Sequence, residues 1–323
     1  MSDDSPLVSV LIPYYDSARY LISISNCLRN QTLKDFEIVV TVASPSSGDC
    51  GIISEAMQDL DCRIIIQTGS GLGDARNVGI SEAKGEYVWF LDMDDLPLPT
   101  FLEDCVRVIE STGSDVAFCN HFQTTDGKIP EMPKGPFNVK EYSRQEAIRN
   151  ISDLPVYSWS RIQRRRVFGT GGCMFGDYRA MEDYDQTLRE VLCSKKVCYY
   201  GKPLYVYRKN PDSATRKNRN LESEALEKMC MQNLKLVRET EPGCFGAYRE
   251  EVINRMMRQP AFSSRKEFKE WYKSTALHGL IEQLPKKTME MRVFELSATL
   301  YYMALYPFTH LVWDGKKGLW GPL

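Results

Sequence analysis

Three short stretches of the chain concentrate residues able to do chemistry. In Phe90-Leu91-Asp92-Met93-Asp94-Asp95 an apolar run leads straight into three carboxylates. If strand geometry persists through it, alternation places Asp92 and Asp94 on one side. Paired hard oxygens at a strand end suit a magnesium or manganese ion held partly by substrate phosphates. Such an ion neutralises charge building on a departing diphosphate. The same residues also suit an acidic turn that caps a following helix. Further on, Met181-Glu182-Asp183-Tyr184-Asp185 offers a carboxylate able to take a proton from a hydroxyl. It equally suits a helix N-terminus, because Leu188, Val191 and Leu192 continue with an amphipathic period. The third stretch is Gly73-Asp74-Ala75-Arg76-Asn77-Val78-Gly79. Arg76 lies within a turn of an expected helix start, where it can approach an anion or form a structural salt bridge.

The elements that must position these residues follow from periodicity. Residues 7–12, 36–42, 63–66, 87–91 and 116–119 are short apolar runs read as buried strands, the first ended by Pro13. Helix-period segments lie between them. One is capped by Asp16 and Ser17 and carries Tyr20, Leu21, Ile24, Cys27 and Leu28 on its apolar face. Others run through Ile52 to Leu60, through Ala75 to Ala83 after a glycine-rich turn, and over 101–109. Repeated β-α-β units predict a largely parallel, doubly wound α/β sheet. Ligands on such sheets sit beyond the carboxyl ends of the strands, which is where Asp92 to Asp95 fall. Between 122 and 160, Pro130, Pro133 and Pro136 predict a loop. Strands are expected again at 197–200 and 204–207. Beyond about Arg216 the chain reads as mostly helical, with Leu226, Met229, Cys230, Leu234 and Val237 on one helix face.

Composition narrows the classes. With a hydrophobic fraction of 43% and a charged fraction of 26%, a substantial core can form. A net charge of −2 gives no global attraction to nucleic acid or anionic membrane, and no nucleic-acid partner is expected. The basic clusters Arg164-Arg165-Arg166 and Arg216-Lys217-Asn218-Arg219 read as solvated faces. None of the 10 cysteines forms a CxxC pair, and His121, His278 and His310 are far apart, which argues against structural zinc. MSDDSPLVSV lacks the layout of a signal peptide, so a reducing, cytoplasmic compartment is expected. Residues 296–313 carry no Asp, Glu, Lys or Arg but include Pro307, which makes a poor membrane span. They read as a packed C-terminal segment or, with Lys316, Lys317 and Trp320, as a peripheral membrane contact.

In their order and spacing these segments resemble the family-two glycosyltransferases of the GT-A fold. The matching pieces are VSVLIPYYDSARYL (8–21), Gln31-Thr32, FEIVV (36–40), GLGDARNVGISEAKGEYVWFLDMDD (71–95), EDYDQTLREVL (182–192) and PLYVYRKNPDSATR (203–216). The resemblance implies a GT-A-type, Rossmann-like, mostly parallel sheet flanked by helices as a catalytic domain over 1–215, with a mainly helical extension over 216–323. It implies inverting, Mn2+- or Mg2+-dependent transfer of a hexosyl or N-acetylhexosaminyl group from a nucleotide sugar, a UDP-sugar foremost. The acceptor would be a glycan or lipid-linked hydroxyl in cell-surface polysaccharide or glycoconjugate synthesis. Residue by residue, it implies Asp183 as general base with Glu182 beside it, and Asp94 and Asp95 at the metal. Asp92 would face the donor ribose or sugar, Arg76 the nucleotide side, Pro13 and Tyr15 the base, and Arg208 the diphosphate.

One departure stands out. The family usually carries acidic residues directly after the second strand, where this chain reads Thr41-Val42-Ala43-Ser44-Pro45-Ser46-Ser47-Gly48-Asp49. Ser44, Ser46, Asp49 or backbone groups are the candidates to replace the nucleobase-binding aspartate. This departure motivates an alternative, a non-catalytic sugar-nucleotide or glycan-binding relative of the same fold. Other classes fit less well. Asp95-Leu96 after Asp94 does not match a haloacid-dehalogenase-type phosphatase, and Pro13-Tyr14-Tyr15-Asp16 replaces the glycine-rich loop of a nucleotidyltransferase or a dinucleotide-binding dehydrogenase.

Overall fold

The computed structural model describes residues 5–43, 48–125, 127–170, 172–178, 182–209, 219–258 and 265–296. The chain divides into two compact units, Met1–Pro211 and Asp212–Leu323. In the first unit the strands are β1 (Val8–Tyr14), β2 (Phe36–Val42), β3 (Cys62–Ile66), β4 (Tyr87–Phe90), β5 (Leu96–Pro97), β6 (Val116–Thr124), β7 (Val139–Ser143), β8 (Arg161–Arg164) and β9 (Lys196–Arg208). The helices are α1 (Leu21–Arg29), α2 (Asp49–Ala56), α3 (Leu72–Glu82), α4 (Phe101–Thr112), α5 (Arg144–Arg149) and α6 (Glu182–Cys193). One sheet runs in the order β3-β2-β1-β4-β8-β6-β9-β5, with β7 added on β9.

The sheet has a parallel half and a mixed half. β3, β2, β1 and β4 are parallel, and β1 and β2 are apolar almost throughout because both faces are covered. Their polar exceptions satisfy one another. Ser9 donates to Glu37 at 2.6 Å, and Arg63 donates to the same carboxylate at 2.8 Å. β8 then runs antiparallel to both β4 and β6, and β5 and β7 run antiparallel to β9. The antiparallel strands modify the expectation of a mostly parallel sheet.

Several local expectations change. β1 does not stop at Pro13 but continues to Tyr14. Its pairing to β4 ends at Leu11, so Pro13 has only β2 beside it, and its missing N–H leaves no ladder bond unmade on the other side. Asp16 and Ser17 do not cap α1. A short 3-10 turn, Ala18–Tyr20, intervenes, and the Ser17 hydroxyl donates to Tyr15 O. The stretch expected as a loop holds β7 and α5, with Ser143 and Glu146 forming a capping box on α5, and β8 follows directly after it. The two strands expected at 197–200 and 204–207 are one strand, β9. Arg165 and Arg166 are exposed, as a solvated face requires, and Arg164 is half-buried. Arg164 pairs with Glu86 and Glu110, Arg165 donates to Gly85 O, and Arg166 pairs with Asp115.

The second unit is helical, with helices Arg219–Thr240, Phe245–Arg258, Arg265–Ser274, Leu277–Glu282 and Met289–Leu296 among its described residues. The predicted stripe of Leu226, Met229, Cys230, Leu234 and Val237 is buried. No helix among the described residues is long and apolar enough to cross a membrane. Beyond Leu296, the uncharged aromatic stretch lies outside the described residues, as does most of the second basic cluster.

Candidate active site

The three chemical stretches meet at the carboxyl end of β4. Arg76 on α3 joins them. It is 1% exposed, and its guanidinium donates to Asp183 Oδ1 at 2.8 Å, Glu182 Oε1 at 3.4 Å and Asp92 Oδ1 at 3.3 Å. Its Cζ also lies 5.2 Å from the Phe175 ring centroid and 5.9 Å from that of Phe90. One buried cation therefore gathers carboxylates from two distant stretches, the farther of them 107 positions along the chain from Arg76 itself.

The residues around Arg76 explain its motif. Asn77 clamps the segment before α6, donating to Phe175 O at 3.0 Å and accepting from Phe175 N at 2.9 Å. A Cβ on Gly73 would stand 3.2 Å from Gly176 O, so a glycine lets that segment pack on α3. Gln67 donates to Asp74 at 2.9 Å and ties the turn before α3 to the helix start. The motif thus holds Arg76 at one depth between β4 and α6.

β4 ends at Phe90, and Asp92 to Asp95 form a turn rather than further strand, with Asp95 N donating to Asp92 O at 3.4 Å. The three carboxylates differ. Asp92 is held by Arg76. Asp95 is 1% exposed and accepts the backbone N–H of Arg208 at 2.7 Å through Oδ1, while its buried Oδ2 has no hydrogen-bond partner. Asp94 is half-buried and makes no hydrogen bond or ion pair among the described residues. Burial is the first cause that pushes Asp92 up to about 6, and the neighbouring Asp183 and Asp94 add to it against the pull of Arg76. Burial, then Asp183, pushes Glu182 up to about 7. Asp95 is raised by burial and by Asp92. Five carboxylates thus crowd one region in which Arg76 is the buried cation.

No group of three or more His, Cys, Asp or Glu side chains among the described residues forms a metal cage. The donor set still fits magnesium or manganese, ions commonly held by one or two carboxylates together with substrate phosphates. Asp94 with its unengaged oxygens, and Asp95 with its orphaned Oδ2, are hard donors of that kind.

Asp183, in the first turn of α6, also accepts from the Ser158 hydroxyl through Oδ1. Both its contacts fall on Oδ1, so Oδ2 is unengaged among the described residues. Ser158 was not a sequence candidate. It sits in Pro155 to Ser160, which has no periodicity or motif to flag it. Of the remaining candidates, Pro13 is the penultimate residue of β1 and Tyr15 is 70% exposed just beyond the strand. Asp49 opens α2 and accepts from the Tyr14 hydroxyl at 3.3 Å. Ser44 and Ser46 lie outside the described residues. The Arg208 side chain turns to α1, donating to Ser23 at 3.5 Å with its Cζ 5.7 Å from the Tyr20 centroid, and its Nε is buried without a partner. The geometry therefore joins Arg76, Asp92, Glu182 and Asp183 directly. Asp94 and Asp95 adjoin them, and Pro13, Tyr15 and Arg208 stand apart.

Residues 9–172 match Glycosyl transferase family 2. The chain belongs to this family. The match takes in Pro13, Tyr15, Arg76, Asp92, Asp94 and Asp95 and ends before Glu182. Among curated relatives, the uncharacterized glycosyltransferase EpsJ of Bacillus subtilis is 29% identical over 65% of this chain and 63% of its own length. GlyG, a glycosyltransferase of Streptococcus pneumoniae, is 28% identical over 66% of this chain and 74% of its own. The match thus spans less than two thirds of EpsJ. In three dimensions the chain resembles residues 1–349 of Staphylococcus aureus TarS, with a TM-score of 0.69 at 17% identity, over 96% of this chain and 92% of that one. The mannosyltransferase PcManGT of Pyrobaculum calidifontis, solved with GDP-Man and Mn2+, has a TM-score of 0.55 at 15% identity, over 97% and 89%. The fold is the GT-A type shared with these structures.

Proposed function

We propose that the protein is an inverting, metal-dependent glycosyltransferase with Asp183 as its general base. The observation that carries this reading is the Arg76 junction, which sets an aimed carboxylate beside the acidic turn after β4. In the proposed reaction an acceptor hydroxyl oxygen attacks the anomeric carbon of a nucleotide sugar from the face opposite the diphosphate. Its proton passes to Asp183 Oδ2, the bond from the anomeric carbon to the diphosphate oxygen breaks, and the electron pair leaves on the diphosphate. Configuration inverts because the displacement is a single in-line step. A manganese or magnesium ion held by Asp94 and Asp95 would supply charge neutralisation at the leaving group.

The other residues take supporting roles. Arg76 and Ser158 fix Asp183 by its Oδ1. Because its guanidinium is occupied by three carboxylates, Arg76 is assigned here as a positioning residue rather than a nucleotide ligand. Glu182 and Asp92 border the donor sugar. Pro13 and Tyr15, with Asp49 in place of the missing aspartate, border the nucleobase. Arg208 would have to leave Ser23 to meet the diphosphate, and the catalytic domain is proposed over 1–215 with the helical extension over 216–323.

A UDP-sugar is favoured as donor because TarS, in a structure sharing this fold, was solved with UDP-GlcNAc. A polymer hydroxyl is favoured as acceptor because TarS of Staphylococcus aureus is a poly(ribitol-phosphate) beta-N-acetylglucosaminyltransferase. We further propose that this protein acts on the cytoplasmic side, in cell-surface glycan synthesis. The test is turnover of a panel of UDP- and GDP-sugars with Mn2+, read as nucleotide release with and without hydroxyl acceptors. Release that depends on Mn2+ and on Asp183 supports the reading. Tight donor binding without any turnover would replace it with a non-catalytic binding relative.

A further inference from the structure

An aromatic cluster stands beside the proposed base and plays no part in the reaction described above. Tyr157 and Trp159 flank Ser158, which donates to Asp183. The Tyr157 and Trp159 rings stack at 4.8 Å with 5° between planes. Tyr207, on β9, stacks on Trp159 at 5.8 Å and 8°, and Tyr205 does so at 4.3 Å and 9°. The Tyr157 and Tyr207 centroids are 6.3 Å apart with planes 13° apart. Rings on opposite faces of Trp159 would be at least about 7 Å apart, since carbon atoms keep about 3.5 Å on each side. The two tyrosines therefore lie side by side on one face of the indole. Both are half-buried, whereas Trp159 and Tyr205 are buried.

We propose that Tyr157 and Tyr207 form the floor of an acceptor subsite, on which a pyranose ring lies by its apolar C–H face. The proposal rests on the glycosyltransferase reading with Asp183 as base. A flat apolar surface with polar groups at its edges matches a pyranose, which has axial C–H groups on its faces and hydroxyls around its rim. Ser158 leads from the rings to Asp183, which puts a sugar lying on them next to the proposed base. Asp183 and Tyr184 also lie close enough to the Tyr157 phenol to raise it further after burial has done so. A nucleobase is the competing flat occupant, because Arg208, next to Tyr207, reaches Ser23 and Tyr20 just after β1, and competition with uridine separates the two.

The test is saturation-transfer NMR on the full chain with methyl β-D-glucopyranoside and methyl N-acetyl-β-D-glucosaminide. The face carrying H-1, H-3 and H-5 should receive more saturation than H-2 and H-4. This selectivity should be lost in Tyr157→Leu/Tyr207→Leu and kept in Tyr157→Phe/Tyr207→Phe, which retains both rings. If circular dichroism shows that the double leucine variant does not fold, Tyr207→Leu alone carries the test. Equal saturation of all ring protons in the wild type, persistence of selectivity in a folded leucine variant, or displacement of the glycosides by uridine would each overturn the proposal. Failure of the wild type to turn over any nucleotide sugar bears on the function reading instead, and the NMR result stands apart from it.

Discussion

Two arginines are almost completely buried in the catalytic unit, and they are buried in opposite ways. Arg161 on β8 is 0% exposed and pairs with one carboxylate, Glu190 of α6, itself 0% exposed. It also donates to Val156 O at 3.2 Å and Tyr157 O at 3.0 Å, and lies 5.4 Å from the Phe118 centroid. Arg76 faces three carboxylates that remain 14–28% exposed. The first pair is balanced and sealed. The second is overloaded with negative charge and open. Both receive partners from one helix, because Asp183 and Glu190 are seven positions apart and share a face of α6. A balanced buried pair fixes structure. An unbalanced and accessible one leaves carboxylates within reach of solvent.

The largest predicted effect tests the open end of that helix. Asp183→Asn keeps the shape and removes the basic lone pair, so transfer should slow by about 10²–10⁴-fold with donor affinity little changed. Steady-state turnover and donor calorimetry on the same variant check this. Near-normal turnover would reduce Asp183 to a helix-terminal residue, since asparagine also caps helices well. Arg76→Met should impair transfer as well, while lowering stability by only about 1 kcal/mol, an ordinary value for a point variant. Its carboxylate partners reach solvent and can take up protons.

The closed end should respond in the reverse sense. Arg161→Met strands Glu190 without a counterion, and removing one member of a buried pair costs about 3–5 kcal/mol. Urea unfolding should therefore show a much larger loss than for Arg76→Met. Replacing both members, Arg161→Met with Glu190→Leu, should recover most of it, because apolar replacements of buried pairs are often neutral. Equal losses for the two single arginine variants would remove the distinction between the sites.

The same contrast explains what was legible in the sequence. The parallel half of the sheet was readable because β1, β2 and β4 are apolar runs separated by helical periods. β8 was not, because Arg161-Ile162-Gln163-Arg164 looks solvated. It is a central strand only because Glu190, Glu86 and Glu110 come to it from distant positions. Asp92, Asp183 and Arg76 were singled out by residue type, order and the family resemblance, but nothing in the chain said that Arg76 would bind both acids. Ser158 and the tyrosine floor left no signal, since each depends on neighbours that only the fold supplies.

A smaller effect is expected at the metal. Asp94→Ala should weaken donor binding in the presence of Mn2+ by at least about tenfold, or ~1.4 kcal/mol, without changing the unfolding midpoint of the ligand-free protein. Calorimetry with and without Mn2+ separates this from a general loss of affinity. The same affinity in the variant would move the metal assignment away from Asp94.

The smallest effect concerns pH and bears directly on the excess of carboxylates. Glu182 is raised from its ordinary 4.5 to about 7 in the folded protein by burial and by Asp183. Between those values the native state holds a proton that the unfolded state has released. Stability therefore falls as pH rises through that window, because stability rises with pH only where the unfolded state binds more protons. Asp92, raised to about 6, contributes in the same direction. Glutamine at position 182 cannot ionise, so Glu182→Gln should match the wild type near pH 4.5 and exceed its melting temperature increasingly up to about pH 7. The gain should shrink when Mn2+ and a bound nucleotide sugar are added, since a cation relieves the repulsion that the variant removes. At the sealed pair the same substitution should behave differently. Glu190→Gln takes away the only carboxylate on Arg161 and should lower the melting temperature at neutral pH. A pH-independent difference for Glu182→Gln, or a gain for Glu190→Gln, would show that the two arginine sites are not opposites in charge balance.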